Sequence, residues 1–588
     1  MAAEDPSPAI SPKRPLKQFQ FDSLSNDIKN IYASGNGTQA WMDKFVEDNL
    51  QQLNRQQIGT LMMLAGKKGK TRRLPISIHL PALAERIETL TGELWSVRQI
   101  SYVIYGLQTM SDKDPGVQKI ISSMTKVCHS SLKRNLDPPD ERSLSMMMMG
   151  IQNIGSKEIA AKNFIRVLAA FMKNYGGTFS LLTLNNLFYA MKRMDSASDE
   201  VRVLLREIDF KMKDFSSTLD SWAVSNILYG MHNLRSDHEE LLSLLKTLAP
   251  HIKRSTGTMN GRSVGSALYG MRLMNTDHVE VRMMLKSLTG KIMEFDGVLE
   301  AQSISNALFG MKKMKCEFEE VRNLLTVLLP LIENSRETLN AQSVSNAIFG
   351  LQGMSSKTPE VRKIINVLTR KIQSCEEGLI AQHVGNILFG MRNFDSDCED
   401  VRELLAVLGP KFVKCDEMLT STNIGIAFSG LKGMKCNSRE VRFILEDLEG
   451  KVRQCQMPFN AIEISACLNG LQNMSSDTEE VREMICAITD KIASSNCVLS
   501  SANITKAIYG LRKMKSDRTE VRALLTQLLP QVENLYESIE DNDIEMINEG
   551  LGGMDTDCVE VSNLLAALAE KQINMSIQQR SYVRNSPL

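Results

Sequence analysis

The residues of this sequence best suited to hold an anion recur at forty-residue steps. The segment AQSISNALFGMKKM, residues 301–314, places two lysines after an aromatic residue and a glycine, and AQSVSNAIFGLQGM, residues 341–354, repeats its pattern. Cations occupy the first lysine's column at Lys192, Arg272, Lys312, Arg392, Lys432 and Arg512, and the second's at Arg193, Lys313 and Lys513. From the repeat at Gly106 to that at Gly550, neither column contains an acid. Such a line could neutralise successive phosphate groups, although a basic face that is only solvated is also common.

An aromatic column and an amide column accompany the cations. The aromatic residues include Tyr105, Tyr189, Tyr229, Tyr269, Phe309, Phe349, Phe389 and Tyr509. The amides are Asn186, Asn226, Asn306, Asn346 and Asn386, with Gln302 and Gln342 one turn earlier. Because a helix turns by about 100° per residue, these side chains lie opposite the apolar stripe and should line a groove.

Two interpretations of these columns remain open. In the first, the aromatic rings pack between neighbouring helices, the asparagines bond to the backbone of the next repeat, and the cations extend into solvent. In the second, the rings stack nucleic-acid bases, the amides read base edges and the cations hold phosphates.

The elements that must position these residues are the repeats themselves. The anchor glycine of FGM recurs every forty residues from Gly150 to Gly550, with Ala190 in one repeat, and looser copies are anchored at Gly106 and Gly66. We count about thirteen repeats. In the repeat at Gly310, apolar spacing predicts a helix A over residues 301–314 and a helix B over residues 319–332. Neither helix can bury its stripe alone, so the sequence predicts an all-α, right-handed α-solenoid of two-helix repeats with an extended groove.

Residue types at the helix ends support these boundaries. Ten residues before the anchor stand residues typical of N-caps, namely Asp220, Asn260, Asn340, Thr420, Asn460 and Ser500. Asn460 with Glu463 predicts a capping box. Pro359 suits a first helical turn, whereas Pro250, Pro330, Pro410 and Pro530 should bend or end helix B.

A second ladder of cations lies at the start of helix B, in the segment EVR. Each arginine follows an acid two residues earlier, and we expect each to pair with an acid of a neighbouring repeat. The ladder comprises Arg202, Arg282, Arg322, Arg362, Arg402, Arg442, Arg482 and Arg522.

The totals bound the organisation of the chain. It has 588 residues, with 69 basic and 69 acidic side chains, so a charged site must arise from local segregation. No apolar run reaches membrane-spanning length, and eleven cysteines without a CxxC pair indicate reduced thiols. We predict a disordered tail over 1–20, capping and divergent repeats over 21–115, regular repeats over 116–560, and a capping helix and tail over 561–588.

Motifs for catalysis are weak. The segment LAGKKGKT, residues 64–71, lacks the first glycine and the preceding strand of a phosphate-binding loop, so its basic run, Lys67, Lys68, Lys70, Arg72 and Arg73, is better interpreted as a solvated loop. The seven histidines are scattered, and no nucleophile pairs with a base. We therefore expect no enzyme, no cofactor, no metal site and no small-molecule substrate.

The string SNALFGMKKM, residues 305–314, resembles the core string of organelle helical-repeat proteins, the octotricopeptide, heptatricopeptide and RAP/FAST-kinase-like groups. Phe309 matches that family's Trp position, Asn306 its Asn, and Lys312 lies near its Lys. The resemblance implies a non-enzymatic protein that binds single-stranded RNA, with a role in RNA processing, stability or ribosome assembly.

The chain is also similar to armadillo repeats, whose asparagine ladder grips extended peptides. The alternative is therefore an armadillo/HEAT-like scaffold for a protein or peptide partner. We expect an intracellular protein without a membrane partner, in the cytoplasm or nucleus from the N-terminus as written, or in the mitochondrion or plastid if the first resemblance holds.

Overall fold

The computed structural model describes residues 38–66, 76–134, 138–535 and 539–584, together with residues 26, 28–30, 33 and 537. Side chains are described as far as Lys571. The predicted tail over 1–20 and the basic run between Lys67 and Arg73 lie outside these residues.

The described chain is built from α-helices and divides into two compact units, Met1–Gly177 and Thr178–Leu588. In the first unit, a helix over Gln39–Asn49 precedes three pairs of a short A helix and a B helix. These pairs are Arg55–Ala65 with Leu80–Thr89, Val97–Tyr105 with Pro115–Lys133, and Glu141–Gly150 with Ile159–Asn174. The all-α prediction is confirmed.

The second unit contains ten more pairs and is an α-solenoid. Its A helices are Leu181–Ala190, Ser221–Gly230, Gly261–Gly270, Ala301–Gly310, Ala341–Phe349, Ala381–Gly390, Ser421–Gly430, Ala461–Gly470, Ser501–Tyr509 and Asp541–Leu551. Its B helices are Asp199–Lys213, Glu239–Lys253, Val279–Ile292, Glu319–Glu333, Pro359–Gln373, Glu399–Val413, Arg439–Gln454, Glu479–Ala493, Thr519–Glu533 and Val559–Arg584.

Within each unit, a helix packs mainly on the helix of the same kind in the next repeat, which gives one A layer and one B layer. The apolar stripes meet between the layers, where Ile304, Leu308, Leu325 and Leu328 are fully buried. Neither layer could exclude water from its stripe without the other, so stacking supplies the core.

The anchor glycine sets the spacing of the A layer. A Cβ at Gly310 would overlap with the carbonyl oxygen of Leu268 in the preceding A helix, and a Cβ at Gly350 with that of Leu308. This glycine therefore lets neighbouring A helices approach, and a side chain of any size would force them apart.

The helix ends follow the sequence signals closely. All six predicted N-cap side chains accept a backbone N–H, and Asn460 and Glu463 form the predicted capping box. Pro330 lies inside Glu319–Glu333, and its carbonyl still accepts the Asn334 N–H at 3.0 Å, so the helix continues for one more turn.

Helix A is shorter than predicted: it ends at Gly310 rather than at Met314. After Gly310 the chain tightens into turns, in which Met314 N donates to Met311 O at 2.8 Å. Both methionines remain fully buried. The apolar spacing therefore continued past the helix because the turn also contributes to the core.

A buried Ser, Thr or Cys, six residues after the anchor, links each repeat to the next. Its oxygen or sulfur accepts a backbone N–H from 39 residues later at 2.8–3.1 Å. The column comprises Ser196, Ser236, Thr276, Cys316, Ser356, Ser396, Cys436, Ser476 and Ser516. Two of the cysteines thus have a structural role in this link.

The EVR arginines serve mainly their own repeat. Arg322, for example, donates to the carbonyls of Cys316 and Glu317 at 3.0 and 2.6 Å, which closes the turn between helices A and B. Among the described side chains, the predicted pairing with a neighbouring repeat is confirmed for three arginines. These pairs are Arg362 with Asp400 at 4.0 Å, Arg442 with Glu480 at 3.4 Å and Arg482 with Glu520 at 3.6 Å.

Candidate functional site

The predicted site residues of the second unit lie on one exposed side of its A layer. In the repeat at Gly310, Gln302 is exposed and Asn306, Phe309 and Lys312 are half-buried, whereas the residues between them are buried. We call this surface the A face: the positions of Gln302, Asn306, Phe309, Lys312 and Lys313 and their equivalents in the other repeats of the second unit. The predicted orientation of helix A is therefore correct.

The aromatic column forms a continuous stack of rings. The ring centroids lie 6.4 Å apart for Tyr189 and Tyr229, 6.0 Å for Tyr229 and Tyr269, 5.8 Å for Tyr269 and Phe309, 5.8 Å for Phe309 and Phe349, and 5.7 Å for Phe349 and Phe389. Neighbouring ring planes differ by only 21–26°. From Tyr229 to Phe349, each ring lies between the equivalent rings of the two adjacent repeats.

This stack bears on the two interpretations of the rings. At these separations a base could enter between two neighbouring rings only if the repeats moved apart. The geometry therefore favours packing between neighbouring helices over insertion of bases between the rings.

The stack also measures the step between repeats on the A face. Equivalent rings recur every 5.7–6.4 Å, which is shorter than the roughly 8–10 Å at which helix axes usually pack. The anchor glycine, which lets neighbouring A helices approach closely, accounts for this short step. Any ligand held by several repeats must therefore offer interaction groups at a short and regular step.

A cation lies over five rings of the aromatic column. The ammonium nitrogen of Lys192 lies 4.3 Å from the centroid of the Tyr189 ring, and that of Lys312 lies 4.7 Å from the centroid of the Phe309 ring. The guanidinium carbon of Arg272 lies 4.6 Å from the centroid of the Tyr269 ring. Arg392 lies 4.9 Å from Phe389, and Arg512 lies 4.7 Å from Tyr509. The negative face of a ring attracts a cation, so each ring fixes the position of one charge.

These cations form a line along the A face, and within the described residues only one of them is paired with a carboxylate. Among the described side chains, Lys192, Arg272, Lys312, Arg392 and Lys432 form no ion pair. Arg512, at the far end, pairs with Glu549 at 3.3 Å.

The crowding of like charges affects protonation. Burial, with Arg272 and Lys313 nearby, lowers the pKa of Lys312 to about 8. Burial, with Arg392 and Lys506 nearby, lowers the pKa of Lys432. Burial likewise lowers the pKa of His232 to about 4, so this residue is neutral near pH 7. An anion on the A face would relieve the repulsion between these groups.

The arginines are partly committed to links between repeats. Arg392 Nε donates to the carbonyl of Gln352 at 3.0 Å, and Arg272 Nη2 donates to Asn233 Oδ1 at 2.7 Å. Asn233 and Asn393, in the column of Lys313, donate to backbone carbonyls of the preceding repeat at 2.7 Å. These residues therefore stabilise the stack as well as contributing charge.

The lysines are less committed. In the described part of the chain, the ammonium groups of Lys192, Lys312 and Lys432 donate no hydrogen bond to a protein acceptor. These three lysines are the cations with the most bonding capacity left for a ligand.

Within the described residues, four amides of the column, Asn226, Asn306, Asn346 and Asn386, do not bond to the backbone of the next repeat as one interpretation expects. Asn306 and Asn346 instead accept from Gln302 at 2.9 Å and from Gln342 at 3.0 Å within their own helices. Asn226 and Asn386 make no hydrogen bond within the described residues. These half-buried amides remain candidates for ligand contact.

Sequence reasoning missed three exposed apolar residues of the A face. Leu182, Trp222 and Ile462 occupy the position of Gln302 in their repeats, and their side chains are 66%, 56% and 71% exposed. Read in one repeat, each resembles a core residue. The available signal was the column, because Arg262, Gln302, Gln342 and Gln382 at the same position are polar.

In the described part of the chain, no group of three or more His, Cys, Asp or Glu side chains could hold a metal ion. No helix of this part is both long enough and apolar enough to cross a membrane.

No family model and no curated protein sequence matches the chain. Three structures align over most of it. A homology model of the full-length AP-3 complex is 12% identical over 96% of this chain and 99% of that chain, with a TM-score of 0.31. Yeast Rmd9p in complex with a 16-nucleotide target RNA is 11% identical over 86% and 98%, with a TM-score of 0.29. APUM23 with GGAAUUGACGG is 12% identical over 93% of each chain, with a TM-score of 0.23.

At these TM-scores the three likenesses carry no weight for function, and they do not show membership of the octotricopeptide or heptatricopeptide groups.

Proposed function

We propose that the second unit binds single-stranded RNA along its A face. The observation that carries the proposal is the line of cations from Lys192 to Lys432, which has no carboxylate partner among the described residues. An RNA strand bears one negative charge per nucleotide whatever its sequence, which suits cations that recur in most repeats.

The stacked rings define how such a strand would be held. Because the inner rings cover one another, they would support the cations rather than stack the bases. Phosphates would contact Lys192, Lys312 and Lys432, with Lys313, Lys513 and the free N–H groups of Arg272 and Arg392 beside them. The amides of Asn226 and Asn386 would contact sugars or base edges, where the 2′-hydroxyl distinguishes RNA from DNA.

Reversing the three lysine charges tests this proposal. We expect the variant K192E/K312E/K432E to lose binding to a pool of single-stranded RNA, measured by fluorescence anisotropy. For the wild type, the slope of log K against log salt should be about −4 if six phosphates are neutralised at roughly −0.7 each.

The matched control makes the same charge change on the B layer. Lys246, Lys286 and Lys363 are exposed there, and K246E/K286E/K363E should bind RNA as the wild type does. Equal losses of RNA affinity in both variants, or wild-type binding that does not depend on salt concentration, would show that the A face is not the RNA site.

A second candidate is an extended acidic peptide, and one observation favours it. Two residues of an extended peptide span about 6.6–6.8 Å, close to the 5.7–6.4 Å step of the rings, and Asn226 and Asn386 have bonding capacity for a peptide backbone. Polyglutamate should then displace RNA at equal charge concentration, and N226A/N386A should abolish polyglutamate binding. We expect instead that RNA outcompetes polyglutamate.

A further inference from the structure

Trp222 differs from every other aromatic side chain on the A helices. The stacked rings are half-buried and cover one another, whereas Trp222 is 56% exposed and belongs to no ring stack. On the A helices of the described chain, it is the only exposed aromatic residue. An exposed indole presents a wide, flat surface that usually lies in contact with something else.

The surroundings of Trp222 combine apolar and basic side chains. Leu182 and Arg262 occupy the same helical position one repeat before and one repeat after, and both are exposed. On the same A face, Lys192 and Arg272 lie in the flanking repeats. The nearest acid in sequence, Asp220, is occupied as the N-cap, since its Oδ1 accepts the Ala223 N–H at 2.7 Å.

The backbone that carries Trp222 is held in a way found at no other A helix of the described chain. Thr256 N donates to Leu219 O at 2.8 Å, and an isolated β-bridge joins Asp220 to Thr256. Gly257 follows with φ of 76°, a left-handed conformation that favours glycine. The backbone at the start of this helix is therefore anchored to the segment that leads into the following repeat.

We propose that Trp222 stacks one base of the bound RNA strand and so fixes the strand's position along the A face. This inference rests on the proposed function. Phosphate contacts alone would allow the strand to slide from one repeat to the next, whereas a single stacking residue provides a fixed point. Adenine and guanine, which have larger ring systems, should be preferred at this point over cytosine and uracil.

Binding of oligoadenylate, followed by fluorescence anisotropy, tests the inference. We expect W222A to weaken binding about fivefold or more, because stacking of one base is worth roughly 1–3 kcal/mol and about 1.4 kcal/mol is tenfold. W222F should keep most of the affinity. Oligoadenylate should quench tryptophan emission of the wild type, and W222F should lose that quenching although Trp41 and Trp95 remain.

The control is F210A, since Phe210 is an aromatic residue of the B helix Asp199–Lys213, away from the A face, and is 59% exposed. It should bind oligoadenylate as the wild type does. An abasic ribose-phosphate strand should bind the wild type and W222A equally.

The outcomes separate this inference from the proposed function. If W222A binds oligoadenylate as tightly as F210A does, or loses abasic and adenylate strands to the same extent, Trp222 does not stack a base, although the line of cations can still hold RNA. If the wild type binds neither strand, the proposed function itself is wrong.

Discussion

Lys312 is well placed to bind an anion, but its charge lowers the stability of the folded protein. Its ammonium group lies 4.7 Å from the Phe309 ring centroid, and its pKa is lowered to about 8 by burial and by Arg272 and Lys313. In the unfolded chain its pKa returns to 10.5. Near pH 7 the folded protein must therefore keep a charge in an unfavourable place.

The first prediction follows from that difference in pKa. Between about pH 8 and 10.5, the unfolded state binds more protons at this residue than the folded state, so its contribution to stability rises with pH. We expect K312M to melt at a higher temperature than the wild type at pH 7. The difference should shrink as the pH rises through 8, measured by thermal unfolding in a pH series.

RNA affinity should change in the opposite sense. K312M should bind RNA several-fold more weakly at pH 7, because one phosphate contact is lost. The control K246M removes an exposed lysine of the B layer and should change neither property. A stability difference between K312M and the wild type that does not vary with pH would contradict the argument.

At the scale of single residues, the sequence predicted which residue types share a face of helix A and that the cation columns lack acids. It could not decide the role of Phe309. Whether a ring covers its neighbour or remains open depends on the distance between repeats, and that distance is set by Gly310 against Leu268. Trp222 was missed because an exposed indole and a core indole look alike in one repeat.

Each A helix depends on close contact with the preceding A helix at its anchor glycine. We expect G310A to lower stability by roughly 1–3 kcal/mol, as overpacking commonly does, because the added Cβ would overlap with the Leu268 carbonyl. The same change should separate Tyr269 from Phe309. Chemical denaturation gives the loss in stability, and near-ultraviolet circular dichroism reports the ring stack.

Gly290 provides a matched control for G310A. It lies inside the B helix Val279–Ile292, and a Cβ there would meet nothing within 4 Å. G290A should therefore stabilise the protein by about 0.5–1 kcal/mol, as alanine does in a helix interior. Equal effects of G310A and G290A would mean that the anchor glycine acts through helix propensity rather than through the contact between A helices.

Most helix boundaries could be predicted because caps and prolines act locally. The end of helix A could not, because Met311 and Met314 are buried whether the chain is helical or turned there. The link through Ser356 or Cys316 was also hidden, since small polar residues in a loop usually suggest only a turn.

At the scale of the whole molecule, the cations extend over nine repeats, from Lys192 to Arg512. Affinity for oligoadenylate should therefore increase with strand length and level off only when the strand reaches the last cationic repeat. The magnitude of the salt slope should increase in parallel, because each added phosphate releases further counterions. Anisotropy titrations with a length series provide the measurement. Full affinity for a strand of two or three nucleotides would indicate a local site instead.

The number of repeats was predictable because the forty-residue period persists across the chain. The division after Gly177 was not, because the period crosses it without a linker.

The ring stack also determines where the second unit can flex. A solenoid bends by changing the distance between neighbouring repeats on one side, and six rings in contact from Tyr189 to Phe389 leave no room for further closure there. In the next two repeats the ring is replaced by Ser429 and Asn469. Bending should therefore concentrate at those two repeats. The repeats from Tyr189 to Phe389 would move as a rigid segment, and tension along a bound strand would change the spacing of the two ring-free repeats first.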